Sequence, residues 1–190
     1  MTFCRGPNDG YDPPTLMILE TERLRLCQLS ADDAEFVLAL VNDPSFIRYI
    51  GDKQVRNLDD AKRYIADGPV KSYATYGFGL NLVQLKADGT PIGICGLLQR
   101  DTLPDPDIGF AFMPAYWNRG YAFEAAAAVM KHARDQLGLD QILAITTPDN
   151  EASARLLGKI GFTFDRLVKL SEDAAEVKLF SSAPRQNGKQ

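Results

Sequence analysis

The sequence predicts an α+β domain: a sheet of about six to seven strands flanked by about four helices. Three observations carry this. An alternating segment, 107–113, passes through Pro114 and a short loop into an alanine-rich run that reads as a helix over 121–137. Two strand-like runs, 76–85 and 91–99, flank Ala87-Asp88-Gly89-Thr90, whose Asp-Gly pair is a strong hairpin signal, so the two runs pair antiparallel. The run 141–146 is short and continuously apolar, as expected of a strand buried on both faces near the sheet's centre.

In chain order, 1–15 is rich in Gly, Pro, Asn and Asp and has no period, which predicts a loosely ordered lead ending by residue 16. Alternation begins within 19–26 as a first strand. Ser30, with Asp33 three residues on, reads as an N-cap ahead of Phe36, Val37, Leu40 and Val41 at helical spacing, which predicts a helix over 31–42. Pro44 stops it, and a shorter amphipathic helix is expected over 59–66 with Ala61, Tyr64 and Ile65 inward. After the two hairpin strands and the strand at 107–113, the long helix places Ala122, Ala126, Val129, Ala133 and Leu137 on one face, pairs Lys131 with Asp135, and ends near Gly138. His132, the only histidine, falls off that stripe, has no ligand-spaced partner, and is expected to face solvent. Asn150 is a candidate N-cap for a helix over 151–159, closed by Gly161. Strands over 162–170 and 176–180 complete the domain, taken as 17–183, and 184–190 is a polar tail.

A chain of 190 residues with 45% hydrophobic and 24% charged content buries one core without staples. The formal charge of −4 gives no global field for nucleic acid or an anionic membrane. Cys4, Cys27 and Cys95 are odd in number and lack C-x-x-C spacing, so reduced thiols, no metal site and a cytoplasmic address are expected. No apolar run reaches membrane-spanning length.

The most informative chemistry lies where the strand at 107–113 becomes the long helix. Gly120 and Ala122 lack bulk, so a ligand can approach the backbone, and the first helical N–H groups have no intrahelical acceptors. With the helix dipole, such a start holds anions, and each N–H given to a phosphate oxygen contributes about 1.5–3 kcal/mol. The same residues also fit a loop end and an ordinary helix start.

This stretch resembles the acetyl-coenzyme A signature of the GNAT superfamily of N-acetyltransferases, R/Q-x-x-G-x-G/A, with Trp117 at the first position and Gly120 and Ala122 at the last two. Trp117 departs from Arg or Gln, but the longer string Tyr-Trp-Asn-Arg-Gly-Tyr-Ala-Phe-Glu-Ala looks like the RimJ/RimL-type branch, the ribosomal-protein N-terminal acetyltransferases and their relatives. The run Asn150-Glu151-Ala152-Ser153, followed by Leu157-Gly158-Lys159-Ile160-Gly161-Phe162, is similar to that branch's N-x-x-S and L-x-K-x-G-F pattern. The resemblance, over roughly 19–180, implies a twisted mixed sheet whose strands carrying Phe112 and Ile145 splay apart around coenzyme A. It assigns pyrophosphate binding to the backbone of Asn118, Arg119, Gly120, Tyr121 and Ala122, and pantetheine pairing to the backbone around Phe112 and Met113. Asn150 contacts the pantetheine arm in this scheme, Ser153 protonates the leaving thiolate, and Phe46, Tyr49 and Ile50 wall the acceptor pocket.

Asn150 and Ser153 also fit plain helix capping, and the aromatics fit plain packing. Glu124 is expected to serve the helix start structurally, whereas Asp107 is the candidate for orienting or deprotonating an amine. P-loop, dinucleotide and H-E-x-x-H motifs are absent. No Cys-His or Ser-His pairing is visible, so the expected reaction is direct acetyl transfer from acetyl-coenzyme A to a primary amine, first of all a protein or peptide N-terminus. A small metabolite or antibiotic amine is the alternative acceptor, and a non-catalytic acyl-coenzyme A sensor the alternative class. A monomer or homodimer is expected.

Overall fold

The computed structural model describes residues 16–182; the lead and the polar tail otherwise lie outside them. Eight strands form one sheet: β1 (Met17–Glu20), β2 (Leu24–Gln28), β3 (Leu80–Leu85), β4 (Pro91–Leu98), β5 (Asp107–Phe112), β6 (Leu143–Thr146), β7 (Phe162–Val168) and β8 (Val177–Ser182). Their spatial order is β1-β2-β3-β4-β5-β6-β8-β7. Helical segments are α1 (Ala34–Val41), α2 (Pro44–Ile50), α3 (Leu58–Ile65), α4 (Lys71–Tyr76), α5 (Tyr121–Asp135) and α6 (Glu151–Lys159).

All neighbouring strands are antiparallel except β5 and β6, which are parallel and share a single residue pair, Asp107 with Leu143. β5 meanwhile stays paired to β4 from Leu98–Asp107 to Gly93–Phe112. Beyond the shared pair, therefore, β5 and β6 part, and the sheet opens toward the C-terminal ends of both. Met113 N–H bonds Ile92 O at 2.9 Å. By the two-residue alternation of an antiparallel ladder, Ala111 and Gly109 likewise face β4, and Phe110 and Phe112 turn their backbone groups toward the opening.

The strands' alternation divides the core between two faces. On one, α5 lays Ala125, Ala126, Val129, Met130 and Ala133 against Leu24, Val83, Ile92, Ile108 and Phe112, joined by Leu157 of α6. Small alanines let α5 lie close to the sheet. On the other, Val37, Leu40 and Val41 of α1, Phe46 of α2, and Ala61 and Ile65 of α3 cover Leu82 and Ile94.

The sheet gains a strand over the sequence expectation because Thr21 turns the chain, its N–H bonding Leu24 O at 2.9 Å, which separates β1 from β2. Pro44 ends α1 and also starts α2. It occupies the first turn, where a missing N–H costs nothing, and Asp43 caps that turn by accepting from Ser45 N at 2.9 Å. A π turn containing Pro69 carries α3 into α4, which stops at Gly77 in the left-handed region (φ 77°), so β3 begins at Leu80 rather than 76. His132 is half-buried rather than solvent-facing, and burial pushes its pKa down. Cys95 is a buried free thiol.

Candidate active site

The loop from β5 to α5 has the geometry of an anion cradle. Asn118 (φ 59°) and Gly120 (φ 83°) both occupy the left-handed region, the first at the expense of a non-glycine residue. A side chain at 120 would carry that strain and would also meet Arg23 Nη2 at 3.2 Å. The first helical bond of α5 runs from Glu124 N to Gly120 O at 3.0 Å. The N–H groups of Tyr121, Ala122 and Phe123 precede it and lack intrahelical acceptors. Trp117 fastens the loop to the strand, donating its indole N–H to Phe112 O at 2.7 Å.

Glu124 braces this cradle from behind. Its carboxylate accepts from Thr21 Oγ1 at 2.6 Å, Arg23 N at 2.9 Å and Arg23 Nε at 2.7 Å. Partial burial works to raise its pKa, but these donors outweigh it and hold the carboxyl below its ordinary value. Arg23 in turn donates to Arg119 O at 3.0 Å and lies 4.6 Å over the Tyr121 ring. With every one of these bonds structural, Glu124 is an anchor.

A cleft of about 1200 Å³ runs from the cradle through the gap between β5 and β6 to the face covered by α1–α3. It brings together Phe46, Tyr49, Asp107, Phe112, Asn118, Gly120, Tyr121, Ala122, Asn150 and Ser153 from four separate stretches of chain. Two of the sequence candidates do not line it. Met113 spends its N–H on Ile92 and packs into the α1–α3 core, and Arg119 turns its guanidinium to 5.7 Å over the Tyr116 ring. The open backbone groups belong instead to Phe110 and to the Phe112 N–H, since the Phe112 carbonyl is held by Trp117.

At the start of α6 the two polar candidates separate. Asn150 Oδ1 accepts the Ser153 N–H at 3.0 Å and is the cap. The Ser153 hydroxyl makes no hydrogen bond among the described residues, and its residue lines the cleft.

At the opposite end, Asp107 is 1% exposed and accepts from Arg100 Nε at 2.8 Å. Burial pushes its carboxyl up; the Arg100 charge and hydrogen bond oppose this without cancelling it. Tyr64, Lys53 and Arg100 line the same end. Lys53 is exposed at the rim of this end, where partial desolvation of its ammonium, then the Arg100 charge, push its pKa down. Phe46 is 4% exposed and belongs to the core as well as to the wall. Arg48 lies 5.0 Å over the Tyr49 ring and reaches across the cleft mouth to Asp149, Nη2 to Oδ2 2.9 Å.

The acetyltransferase (GNAT) domain model matches residues 23–163. The chain belongs to the GNAT acetyltransferases. An uncharacterized N-acetyltransferase of Bacillus subtilis, YoaA, is 33% identical over 147 residues, 76% of this chain and 82% of that protein. Among solved structures, this GNAT chain is similar to an acetyltransferase of Agrobacterium tumefaciens (25% identity, TM-score 0.73, 93% and 98% of the two chains). It shares its fold with RimL, a ribosomal L7/L12 α-N-protein acetyltransferase solved with coenzyme A (15% identity, TM-score 0.77, 89% and 98%).

Several residues of this GNAT cleft escape sequence reasoning. Arg155 and Lys159 rim it at four-residue spacing from Glu151, a helical-face signal that was available. Lys53, Tyr64 and Arg100 come from three unconnected segments, and nothing local marks them as neighbours.

Proposed function

We propose that the chain transfers the acetyl group of acetyl-coenzyme A directly to a primary amine, with a protein or peptide N-terminus as the acceptor. The supporting observation is the continuous cleft, with an anion cradle at one end, open strand backbone in its middle and a polar pocket at the other. The pyrophosphate sits on the Asn118–Ala122 backbone, the pantetheine arm pairs with Phe110 and Phe112, and Asn150 flanks the arm. The thioester then lies between Ser153 and Asp107.

No covalent enzyme intermediate is used. Cys95 is fully buried, and burial pushes its thiol far above the ordinary range. Ser153 has no base beside it, so its hydroxyl serves as a proton donor to the departing thiolate. A thiolate is already a feasible leaving group, an ordinary cysteine thiol titrating near 8.5, so such a donor adds at most a factor of about 10²–10⁴.

Acid–base arithmetic favours the α-amine. With a pKa of roughly 7.7–8.0 it costs about 1 kcal/mol to deprotonate at pH 7, against about 4.6 for a lysine near 10.4. The pocket offers no histidine, and its one buried carboxylate, Asp107, is engaged with Arg100. An acceptor needing little help from a base suits it. The test is an acetyl-transfer screen of peptides against small amines at pH 7 and 9. Turnover of peptide N-termini at pH 7 is expected; robust turnover of polyamines or aminoglycosides with none of peptides overturns the assignment.

A further inference from the structure

Resting on the reading of this pocket as the acceptor site, we infer that the acceptor carries a carboxylate close to its reactive amine, held by Lys53 beside Arg100. In the N-terminal reading this is an acidic side chain on one of the first residues of the peptide.

Three observations converge on it. Lys53 lines the acceptor end of the cleft and has no hydrogen-bond or carboxylate partner among the described residues. Its electrostatic neighbour is another cation, Arg100, whose one hydrogen bond among the described residues, Nε to Asp107 Oδ1, balances the charge of Arg100 alone. The count at this end is thus two cations and one carboxylate, with Arg48 at the mouth already neutralised by Asp149. An unmatched positive charge beside Arg100 in this cleft repels an acceptor that brings only ammonium groups. The same charge pairs with a carboxylate, and in a partly desolvated site a hydrogen bond to a charged group is worth more than a neutral one. It also assists the reaction by lowering the pKa of the incoming amine. An anionic group accompanying the amine satisfies both demands, and a polyamine satisfies neither.

The experiment measures acetyl-coenzyme A-dependent transfer to two matched series. One comprises peptides differing only in the second residue, Asp, Asn or Lys; the other comprises β-alanine, β-alaninamide and 1,3-diaminopropane. The expected order of kcat/KM is carboxylate above amide above amine. Lys53→Gln should reduce the carboxylate-to-amide ratio roughly tenfold through KM, as loss of one charged hydrogen bond requires, and Lys53→Arg should restore it. Peptide turnover indifferent to the second residue overturns this inference and leaves the N-terminal reading standing. Small amines acetylated in the expected order, with no peptide turnover, overturn the N-terminal reading and leave this one standing. A carboxylate preference untouched by Lys53→Gln removes Lys53 from the role, and absence of transfer in both series overturns both readings.

Discussion

Asn150 and Ser153 stand three residues apart, and in the sequence Asn150 is the candidate N-cap while both residues also fit a purely structural role at the helix start. The structure assigns the cap to Asn150 and leaves the Ser153 hydroxyl, at the cleft, without a hydrogen bond among the described residues. Their alanine variants should therefore diverge. Asn150→Ala should lose about 1 kcal/mol of stability, read as a lower melting temperature. Ser153→Ala should keep the melting temperature and lower kcat, by no more than about 10²–10⁴. An unchanged kcat in Ser153→Ala would remove it from leaving-group chemistry. Glu124 makes a third case, in which a carboxylate at the head of a helix looks like a base but is bonded to Thr21 and Arg23. Its folded pKa lies below its ordinary 4.5, so its contribution is present above that value and lost as pH falls through the depressed one. Glu124→Gln should accordingly flatten the acid limb of a stability–pH curve, and equal acid limbs in the two proteins would show that the anchor carries no linkage. The motif residues were legible because each signature is local. The pairing of Arg100 with Asp107 was not, because their types are common and only the fold makes them partners.

Among elements, those with a strong period or an explicit turn came through from the sequence: α5 with its alanine face, the β3–β4 hairpin at Asp88-Gly89, and the pairing of Lys131 with Asp135 at 2.7 Å. α2 was missed because a proline reads first as a stop, although it is equally a start. The C-terminal half of the helical stretch after α3 was missed because Pro69 and Gly68 mask it, and a π turn absorbs both. Another feature invisible to periodicity is the close approach of β4 to the start of β3. A Cβ at Gly96 would stand 2.0 Å from Gly79 O and 2.8 Å from Leu80 Cα, both backbone atoms that cannot rotate away. Gly96→Ala should cost at least the roughly 1–3 kcal/mol typical of overpacking. At about 2–4 °C per kcal/mol for a chain this size, calorimetry should record a clear fall in melting temperature. A melting temperature within error of the parent would mean that β3 can shift freely, contrary to its five-residue register with β4.

The whole molecule is two pieces of sheet, β1–β5 and β6–β8–β7, joined along their common boundary by one residue pair. Helix α5 packs on the first piece and α6 on the second, so the cradle and the Ser153 hydroxyl belong to different pieces. This explains why the residue pattern places each half of the site while the splay between them is implied only by the family resemblance: the splay is a missing ladder, and missing bonds leave no composition signal. It also makes acetyl-coenzyme A a structural link, since a ligand lying in the opening would pair with backbone groups that β5 otherwise leaves without a strand neighbour. A ligand at 100 times its Kd stabilises the folded state by about 2.7 kcal/mol, which at about 2–4 °C per kcal/mol raises the melting temperature by roughly 5–11 °C. The location of the effect is the sharper test. Hydrogen exchange should slow at the Tyr121, Ala122 and Phe123 amides of the cradle and at Phe110 and Phe112 along the open edge, while Gly109 and Ala111, whose N–H groups face β4, should change little. Protection confined to the cradle would mean that the pyrophosphate binds there while the pantetheine arm lies outside the sheet, and the path assigned to the thioester would be wrong.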